Sequence, residues 1–434
     1  MPADRPRPAA TPIPIGRAYD TLIQIQAALD RVAGVAGTSI AGAVRRGVDL
    51  VDGVELLAVT DRPEHVRKAL APLAGDSPVH QHEANVLSLE IDRVPASIRC
   101  APAERAGAEL LFSTGSATHL AALEERARGR GQVLDRRGLL TQDGSTRVAS
   151  SEESIYAGLG LPCIPPELRN GDDELTAAEN GRIPRLVSTE DIRGDLHVHS
   201  LWSDGRDTIE AMVVSAIALG YEYVAITDHS PSSSASRNLT IDGVARQAEE
   251  VANIRTMYPQ IALLHGCEVD ILKDGSLDFP DDVLERFDIV LASLHESHGH
   301  SPQALLQRYE RAMRHPLVSV ITHPTNRMFP HRPGYDLDYD RLFELAVETG
   351  TLLEIDGGPS HIDLDSSLAG RAARAGVTLS IDSDCHVAAR LGRQMHLGIV
   401  TARRGWVEAA RVVNTKSLAE VQARIAAKRE GRAS

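Results

Sequence analysis

Nine side chains able to bind metal ions recur in this 434-residue chain at the ends of short apolar runs. The first run closes Asp-Leu-His197-Val-His199-Ser and continues Trp-Ser-Asp204-Gly. The second ends Thr-Asp-His229-Ser, the third reads Gly-Cys-Glu268-Val-Asp, and the fourth Ser-Leu-His295. The fifth ends Thr-His323-Pro, and the seventh Asp-Ser-Asp384-Cys-His386. Residues two apart on a strand share a face, so His197 and His199 can grip one cation. Imidazole and carboxylate donors without thiolate suit Zn, Mn or Fe rather than Cu(I) or an iron–sulfur cluster. Nine ligands exceed what one or two tetrahedral ions need, so three divalent cations are expected, with Mn supporting activity. Clustered cations activate water and clamp the oxygens of a phosphoryl centre, so phosphoester hydrolysis is the chemistry this set suits.

The elements that must position these residues are legible as a repeat. Apolar runs at Asp195–His199, Tyr223–Asp228, Ile261–Val269, Ile289–His295, Val318–His323, Leu352–Ile355 and Thr378–Asp382 alternate with helix-like stretches. The latter include Thr208–Leu219, Asp242–Arg255, Pro302–Arg314, Asp338–Glu348 and Ser366–Ala375. Seven such alternations predict parallel strands with right-handed crossovers, closing into a barrel whose function sits at the strands' C-terminal ends. The region before it differs. Ala18–Val32, Ala106–Leu111 and His119–Gly129 read as helices, Leu56–Thr60 as a buried strand and Ile155–Leu159 as the start of a short helix. Ser417–Lys428 reads as a terminal helix. The expected division is a disordered tail at 1–14, a first domain at 15–165, a polar linker at 166–193 and the barrel at 194–434.

Charge follows the same division. Between Asp195 and His396 there are 30 acidic and 16 basic residues, against 30 and 30 elsewhere, and 13 of the 17 histidines fall in that segment. The net charge of −14 argues against a general nucleic-acid coat. No window approaches the roughly 18 apolar residues of a membrane span, so no membrane partner is expected. The first residues lack the apolar stretch of a signal peptide. Four cysteines without paired spacing predict a reducing, cytoplasmic setting. Composition carries no signal for oligomeric state.

The motifs around His197, His199, His229, Glu268, His323, Asp384 and His386 resemble those of the polymerase-and-histidinol-phosphatase (PHP) domain, in order and spacing across the whole segment. The resemblance implies a distorted (β/α)7 barrel with a trinuclear site. One metal would take His197, His199, Glu268 and Asp384, with Glu268 bridging to a second held by His295 and His323. A third would take Asp204, His229 and His386. A metal-activated water would attack, with no side-chain base assigned. The sixth strand departs from the family, ending Glu354-Ile-Asp356 where the family has Asn. The extra carboxylate could change substrate polarity or the hydrogen bonds behind the ligands.

The front half resembles the α+β nucleotidyltransferase-like palm and thumb of bacterial family X DNA polymerases, which carry a PHP domain behind them. Ala41-Gly-Ala-Val-Arg45-Arg46-Gly47 resembles that family's Gly-Ser-x-Arg-Arg-Gly turn. Leu110-Leu-Phe112-Ser-Thr114-Gly-Ser116 resembles its nucleotide-binding segment, and Tyr156–Arg169 the end of its thumb. Polymerisation needs three carboxylates holding two Mg²⁺. The family's positions fall here on Gly53, Glu55 and Ser97, so only one remains acidic, and template-directed synthesis is expected to be lost. The family's DNA-gripping helix–hairpin–helix modules should precede this region, where only a short tail stands. Arg45 and Arg46 could hold phosphate.

Arg237, Lys273, Arg327, Arg332 and Arg390 lie in strand-to-helix loops as candidates for substrate phosphate. His298 and His300 read as loop residues or general acids, and His331 and His361 as surface or loop histidines. The reading is a PHP phosphoesterase acting as a 3′–5′ exonuclease or processing DNA 3′ ends. A small-molecule phosphatase, of histidinol-phosphate or nucleotide type, is the alternative substrate class. The front half could also be a non-catalytic module binding DNA or a protein partner.

Overall fold

A computed structural model describes residues 11–75, 78–296, 301–328 and 330–431, the side chains of Thr146 and Arg147 excepted. Most of the expected 1–14 tail, and His298 and His300, lie outside the described residues. The chain divides into two compact units, residues 1–184 and 185–434, so the division falls inside the stretch read as a linker. Residues 166–193 bury side chains on both sides of it. Glu167, Leu168, Arg169 and Glu174 are buried before the division, and Leu186, Val187 and Ile192 after it.

In the first unit, strands Gly37–Ala41, Val54–Val59, Val94–Ala101, Val86–Ile91 and His80–Glu83 lie in that order in one sheet. Helix Ile15–Leu29 buries Ala18, Leu22, Ile25 and Leu29 on one side, the spacing of an amphipathic helix. Glu55 and Ser97 pair in register on adjacent parallel strands, where the resemblance puts two carboxylates. At Gly53 a Cβ would stand 2.7 Å from the Pro95 carbonyl oxygen, so backbone occupies the space a third carboxylate would use. Arg45 is not free for phosphate. It chelates Glu152 at 3.0 and 2.6 Å and donates to Thr114 Oγ1 at 2.7 Å. Arg169, fully buried, shares Glu152 Oε1 with Arg45 and donates to it at 2.5 Å. Arg46 donates to the Thr114 carbonyl.

The second unit is a seven-stranded parallel sheet in sequential order. Its strands are β1 (Gly194–Val198), β2 (Tyr223–Ile226), β3 (Ala262–Asp270), β4 (Ile289–Ser293), β5 (Val318–Ile321), β6 (Leu352–Asp356) and β7 (Leu379–Asp382). Helices Ile209–Ala218, Ile241–Met257, Pro302–Met313, Tyr339–Thr349 and Ser366–Ala375 match the expected stretches within two residues. Each opens on a side-chain cap (Thr208, Thr240, Ser301, Asp338 and Asp365) that accepts a backbone N–H from the first turn. Between β7 and β1 the ladder shrinks to one bridge, Val198 beside Cys385 with His199 N donating to the Cys385 carbonyl at 3.0 Å, and side chains hold the rest of the seam. Asp382 Oδ1 accepts from Leu196 N at 2.8 Å and from Asn414 Nδ2 at 2.9 Å. Asn414 also donates to the Gly194 carbonyl and accepts from Ile381 N. The barrel is therefore nearly closed.

Alternation along the strands splits the apolar core. One set, with Val198, Val224, Ile226, Val290 and Ile381, packs under the helices. The other, with Leu196, Tyr223, Leu264, Ile289, Leu291, Val320 and Leu352, clusters with Val421 and Ile425 of helix Leu418–Arg429. From that helix, Lys428 Nζ donates to the carbonyls of Met313 (2.8 Å) and Thr349 (3.0 Å) and to Thr351 Oγ1 (2.8 Å). Met313 and Thr349 end their helices, where unpaired carbonyls concentrate negative charge. Burial pushes the Lys428 amine down to about 8. Lys428→Met keeps the stem but strips three acceptors of their donor, and should cost about 2 kcal/mol of barrel stability in urea denaturation. An unchanged midpoint would mean that solvent already satisfies those acceptors.

Candidate metal centre

All nine residues singled out for metal binding come together at the C-terminal ends of the barrel strands. His197 and His199 leave β1, Glu268 lies near the end of β3, and the rest follow β2, β4, β5 and β7 or, for Asp204, the turn after β1. That turn is tight. A Cβ at Gly205 would meet the His199 and Ser200 carbonyl oxygens at 2.7 and 2.6 Å, so glycine lets the chain fold back and bring Asp204 inward. His323 and Asp384 hold positive φ, of 27° and 48°, a conformation non-glycine residues adopt rarely.

The distances group as the resemblance implies. Asp384 Oδ1 lies 3.0 Å from His199 Nε2 and 3.6 Å from His197 Nε2. Glu268 Oε2 lies 3.4 and 3.5 Å from the same two nitrogens. Glu268 Oε1 faces His323 Nε2 at 2.8 Å and His295 Nε2 at 3.3 Å. Asp204 Oδ1 faces His386 Nε2 at 3.1 Å and His229 Nε2 at 3.6 Å. Donors on one tetrahedral ion at about 2.1 Å stand about 3.4 Å apart, close to most of these separations. Two residues serve more than one group. His199 also falls with Asp204, His229 and His386, and His229 turns Nδ1 to Glu268 Oε2 at 2.8 Å.

The fit to cations rests on atoms left without hydrogen bonds. Glu268 Oε2 and His229 Nδ1 are buried and make none, although they face each other. His197 Nδ1 donates to Glu354, so the neutral His197 ring turns its Nε2 lone pair toward His199 Nε2, 3.0 Å away. A cation among these donors would satisfy the Glu268 and His229 atoms together with that lone pair.

Behind the ligands lie carboxylates the sequence reading missed. His197 Nδ1 donates to Glu354 Oε1 at 2.7 Å, and Glu354 Oε2 accepts from His323 N at 2.7 Å. His295 Nδ1 donates to Asp270 Oδ1 at 2.8 Å. Asp228 gathers Ser200, Ser203 and Gln247, with Ser203 Oγ also 3.4 Å from His199 Nδ1. The Glu354 and Asp270 bonds turn the His197 and His295 rings so that Nε2 points to the centre and make each a stronger donor. Asp356, the departure from the family, is buried and accepts from Gly358 N at 2.5 Å. Burial, with Asp384 and Glu354 nearby, holds its acid well above the ordinary range.

Charges in the centre are strongly perturbed. Burial opposes the ionised form of Glu268, but His229, His295 and His197 outweigh it and hold its pKa well below the usual value. Burial also opposes the cation of His295, yet Glu268 and Asp270 raise it to about 10, and Asp384 and Asp204 raise His386 to about 9. His199, desolvated beside His229 and His386, is lowered to about 4.

The centre floors a cavity of about 940 Å³ lined by His229, Glu268, His295, His323, Asp384 and His386, with Arg206, Arg237, Arg332 and Arg390 among its walls. Of the phosphate candidates, Arg237, Arg332 and Arg390 are therefore at the cavity. Lys273 is exposed in the turn after β3, outside the lining. Arg327 is also absent from the lining, its guanidinium bound by the Ile362 and His361 carbonyls. His361, read as a surface or loop histidine, lines the cavity, where desolvation lowers it to about 4. Among the described residues, no helix is long and apolar enough to cross a membrane.

Comparison with known proteins fits this geometry. Residues 109–170 match the DNA polymerase beta thumb, and residues 195–356 match the PHP domain. The chain is 35% identical over 419 residues to the DNA polymerase/3′-5′ exonuclease PolX of Bacillus subtilis, covering 94% of this chain and 72% of that protein. The chain is also similar to a probable phosphatase of Syntrophotalea carbinolica, with 32% identity over 47% of this chain and 84% of that protein. A probable phosphatase of Acetivibrio thermocellus is 31% identical over 46% of this chain and 81% of that protein.

The raised histidines set the pH dependence of metal loading. With pKa values near 10 and 9, His295 and His386 carry protons at pH 7 in metal-free protein, and a cation must displace them. Affinity for Mn²⁺ or Zn²⁺ should climb as pH rises from 6 toward 9. Titration calorimetry at pH 7 in two buffers of different ionisation enthalpy should register proton release. A flat affinity with no release would contradict the assignment.

Proposed function

Because this chain belongs to the bacterial family X DNA polymerases with a PHP domain, the family of DNA polymerase/3′-5′ exonuclease PolX, we propose that it hydrolyses DNA from 3′ ends. It is a metal-dependent phosphoesterase. The observation that carries the DNA reading is the cavity, where four arginines from four separate loops surround a floor of ligand-type side chains. A single phosphoryl group on the floor can engage one or two guanidinium groups. Arg332 is already bound by the Asn326 carbonyl and Oδ1, and the other three suit a substrate with more than one phosphate; the −14 charge of the whole chain makes their concentration here a local feature.

Under this reading three divalent ions are held by His197, His199, Glu268 and Asp384, by Glu268, His295 and His323, and by Asp204, His229 and His386. Bound there, they supply Lewis acidity toward a phosphoryl oxygen and toward the attacking water. The chain does the rest. Glu354 and Asp270 lock imidazoles in the ligating tautomer, Asp228 orders the turn carrying His199, and the arginines neutralise phosphate oxygens. No side chain is assigned as general base. Hydrolysis of small phosphomonoesters is the second reading, favoured by the probable phosphatases that match about half of this chain.

We further propose that polymerisation is lost, since Glu55 keeps one carboxylate of three and Gly53 faces backbone. The first unit would then serve as a non-catalytic module that binds DNA or a protein partner. A cytoplasmic setting fits the four free cysteines.

Two outcomes are expected. With Mn²⁺, the full chain should shorten 5′-labelled single-stranded DNA stepwise from the 3′ end. His197→Ala should lower that rate at least about a hundredfold, since losing a group that only orients a metal ligand already costs about ten- to a hundredfold. Hydrolysis of p-nitrophenyl phosphate without DNA shortening would favour the second reading. Primer extension with four nucleotides and Mg²⁺ or Mn²⁺ should give no product. Templated extension that survives His197→Ala would restore polymerase function to the first unit.

A further inference from the structure

His361 is a histidine on the cavity wall that the metal-binding set leaves unused. Its ring centre lies 6.3 Å from that of His323. Nδ1 lies 3.1 Å from the Arg327 carbonyl oxygen, and a carbonyl only accepts, so Nδ1 bears the hydrogen. The lone pair of the neutral ring is then on Nε2. Nε2 has no hydrogen-bond partner among the described residues, and it is not among the buried atoms left without one, which leaves it open to the cavity.

The support behind the ring is rigid. The Arg327 guanidinium returns to the Ile362 carbonyl at 2.7 Å and the His361 carbonyl at 3.1 Å. Next to them, Asp363 Oδ2 accepts from Thr325 N at 3.0 Å and from Thr325 Oγ1 at 2.9 Å. A fixed acceptor on the wall of a phosphate site has a narrow choice of partner. Phosphate oxygens are acceptors themselves, so they repel a bare lone pair and belong with the arginines and cations. The acceptor needs a donor, and the donor nearest the last phosphodiester of a DNA strand is the hydroxyl of its terminal sugar.

We propose that His361 is the residue that selects a free 3′-hydroxyl, with Nε2 accepting its hydrogen bond while the last phosphodiester lies on the metal-binding floor. This rests on the exonuclease reading. A site built around such a bond leaves its own polar atom unpaired when the substrate lacks the hydroxyl, and so it rejects that substrate.

The test uses the Mn²⁺-loaded full chain and three 5′-labelled oligonucleotides that differ only in ending 3′-hydroxyl, 3′-deoxy or 3′-phosphate. kcat/KM for the first cleavage should favour the hydroxyl end over the deoxy end by about five- to tenfold, the value of one hydrogen bond. His361→Ala should bring that ratio close to one, and His361→Gln, which offers an amide oxygen, should restore part of it. Fluorescence anisotropy of the same ends on His197→Ala protein, with and without His361→Ala, should show the same loss of discrimination in Kd. Equal rates on hydroxyl and deoxy ends in the unaltered protein would overturn the assignment while leaving the exonuclease reading in place. So would a preference for 3′-phosphate that His361→Ala removes, since a protonated ring would then be the donor. If no end is cleaved while p-nitrophenyl phosphate is hydrolysed, the exonuclease reading and the role of His361 both fall.

Discussion

One fully buried carboxylate sets the terms for the barrel. Glu268 has five imidazole nitrogens within 3.5 Å, from His197, His199, His229, His295 and His323. Imidazoles and carboxylates packed this closely leave buried atoms such as Glu268 Oε2 and His229 Nδ1 without hydrogen bonds, which is costly in a dry interior. Divalent cations relieve that cost. The rest of the unit serves that arrangement. Seven parallel strands deliver the ligands to one end, and Asp382 and Asn414 hold the seam where the first and last pairs of ligands meet. Glu354, Asp270 and Asp228 brace the rings from behind.

The first unit places its buried charge in internal ion pairs. Where a polymerase needs carboxylates facing Mg²⁺ and cations facing a triphosphate, Arg45 and Arg169 here enclose the buried Glu152. Removing one partner of such a group is costly, because the others stay buried without compensation. These pairs hold the turn carrying Arg45 without any charge at Gly53 or Ser97. His119 sits in a similar buried chain between Glu174 and Tyr156, each at 2.7 Å. These networks stabilise the unit whether or not it touches a nucleotide.

Much of this was legible because two periodicities coincide in the sequence. Alternation fixed the barrel strands to within one or two residues at most ends, and ligand-type residues at those ends marked the site. Asp270 and Glu354 escaped notice although the signal was present, since each lies two residues from another acidic strand-end residue and so shares its face. The hairpin joining Val86–Ile91 to Val94–Ala101 escaped for a different reason. Its turn residues Asp92 and Arg93 adopt positive φ without the glycine that usually announces such a turn. Loop cations were the least legible. Whether Arg237, Arg327 or Lys273 reaches the cavity depends on tertiary contacts, such as the carbonyls that bind Arg327, which no local pattern encodes.

The number and position of bound cations bear most directly on this account. Crystals of the full chain soaked in Mn²⁺, measured near the manganese absorption edge, should show three anomalous peaks. Two should be bridged by Glu268, with His197, His199 and Asp384 on one and His295 and His323 on the other, and the third should lie among Asp204, His229 and His386. Peaks that avoid Glu268, or no peaks at this cluster, would contradict the view that its buried charge is balanced by metal.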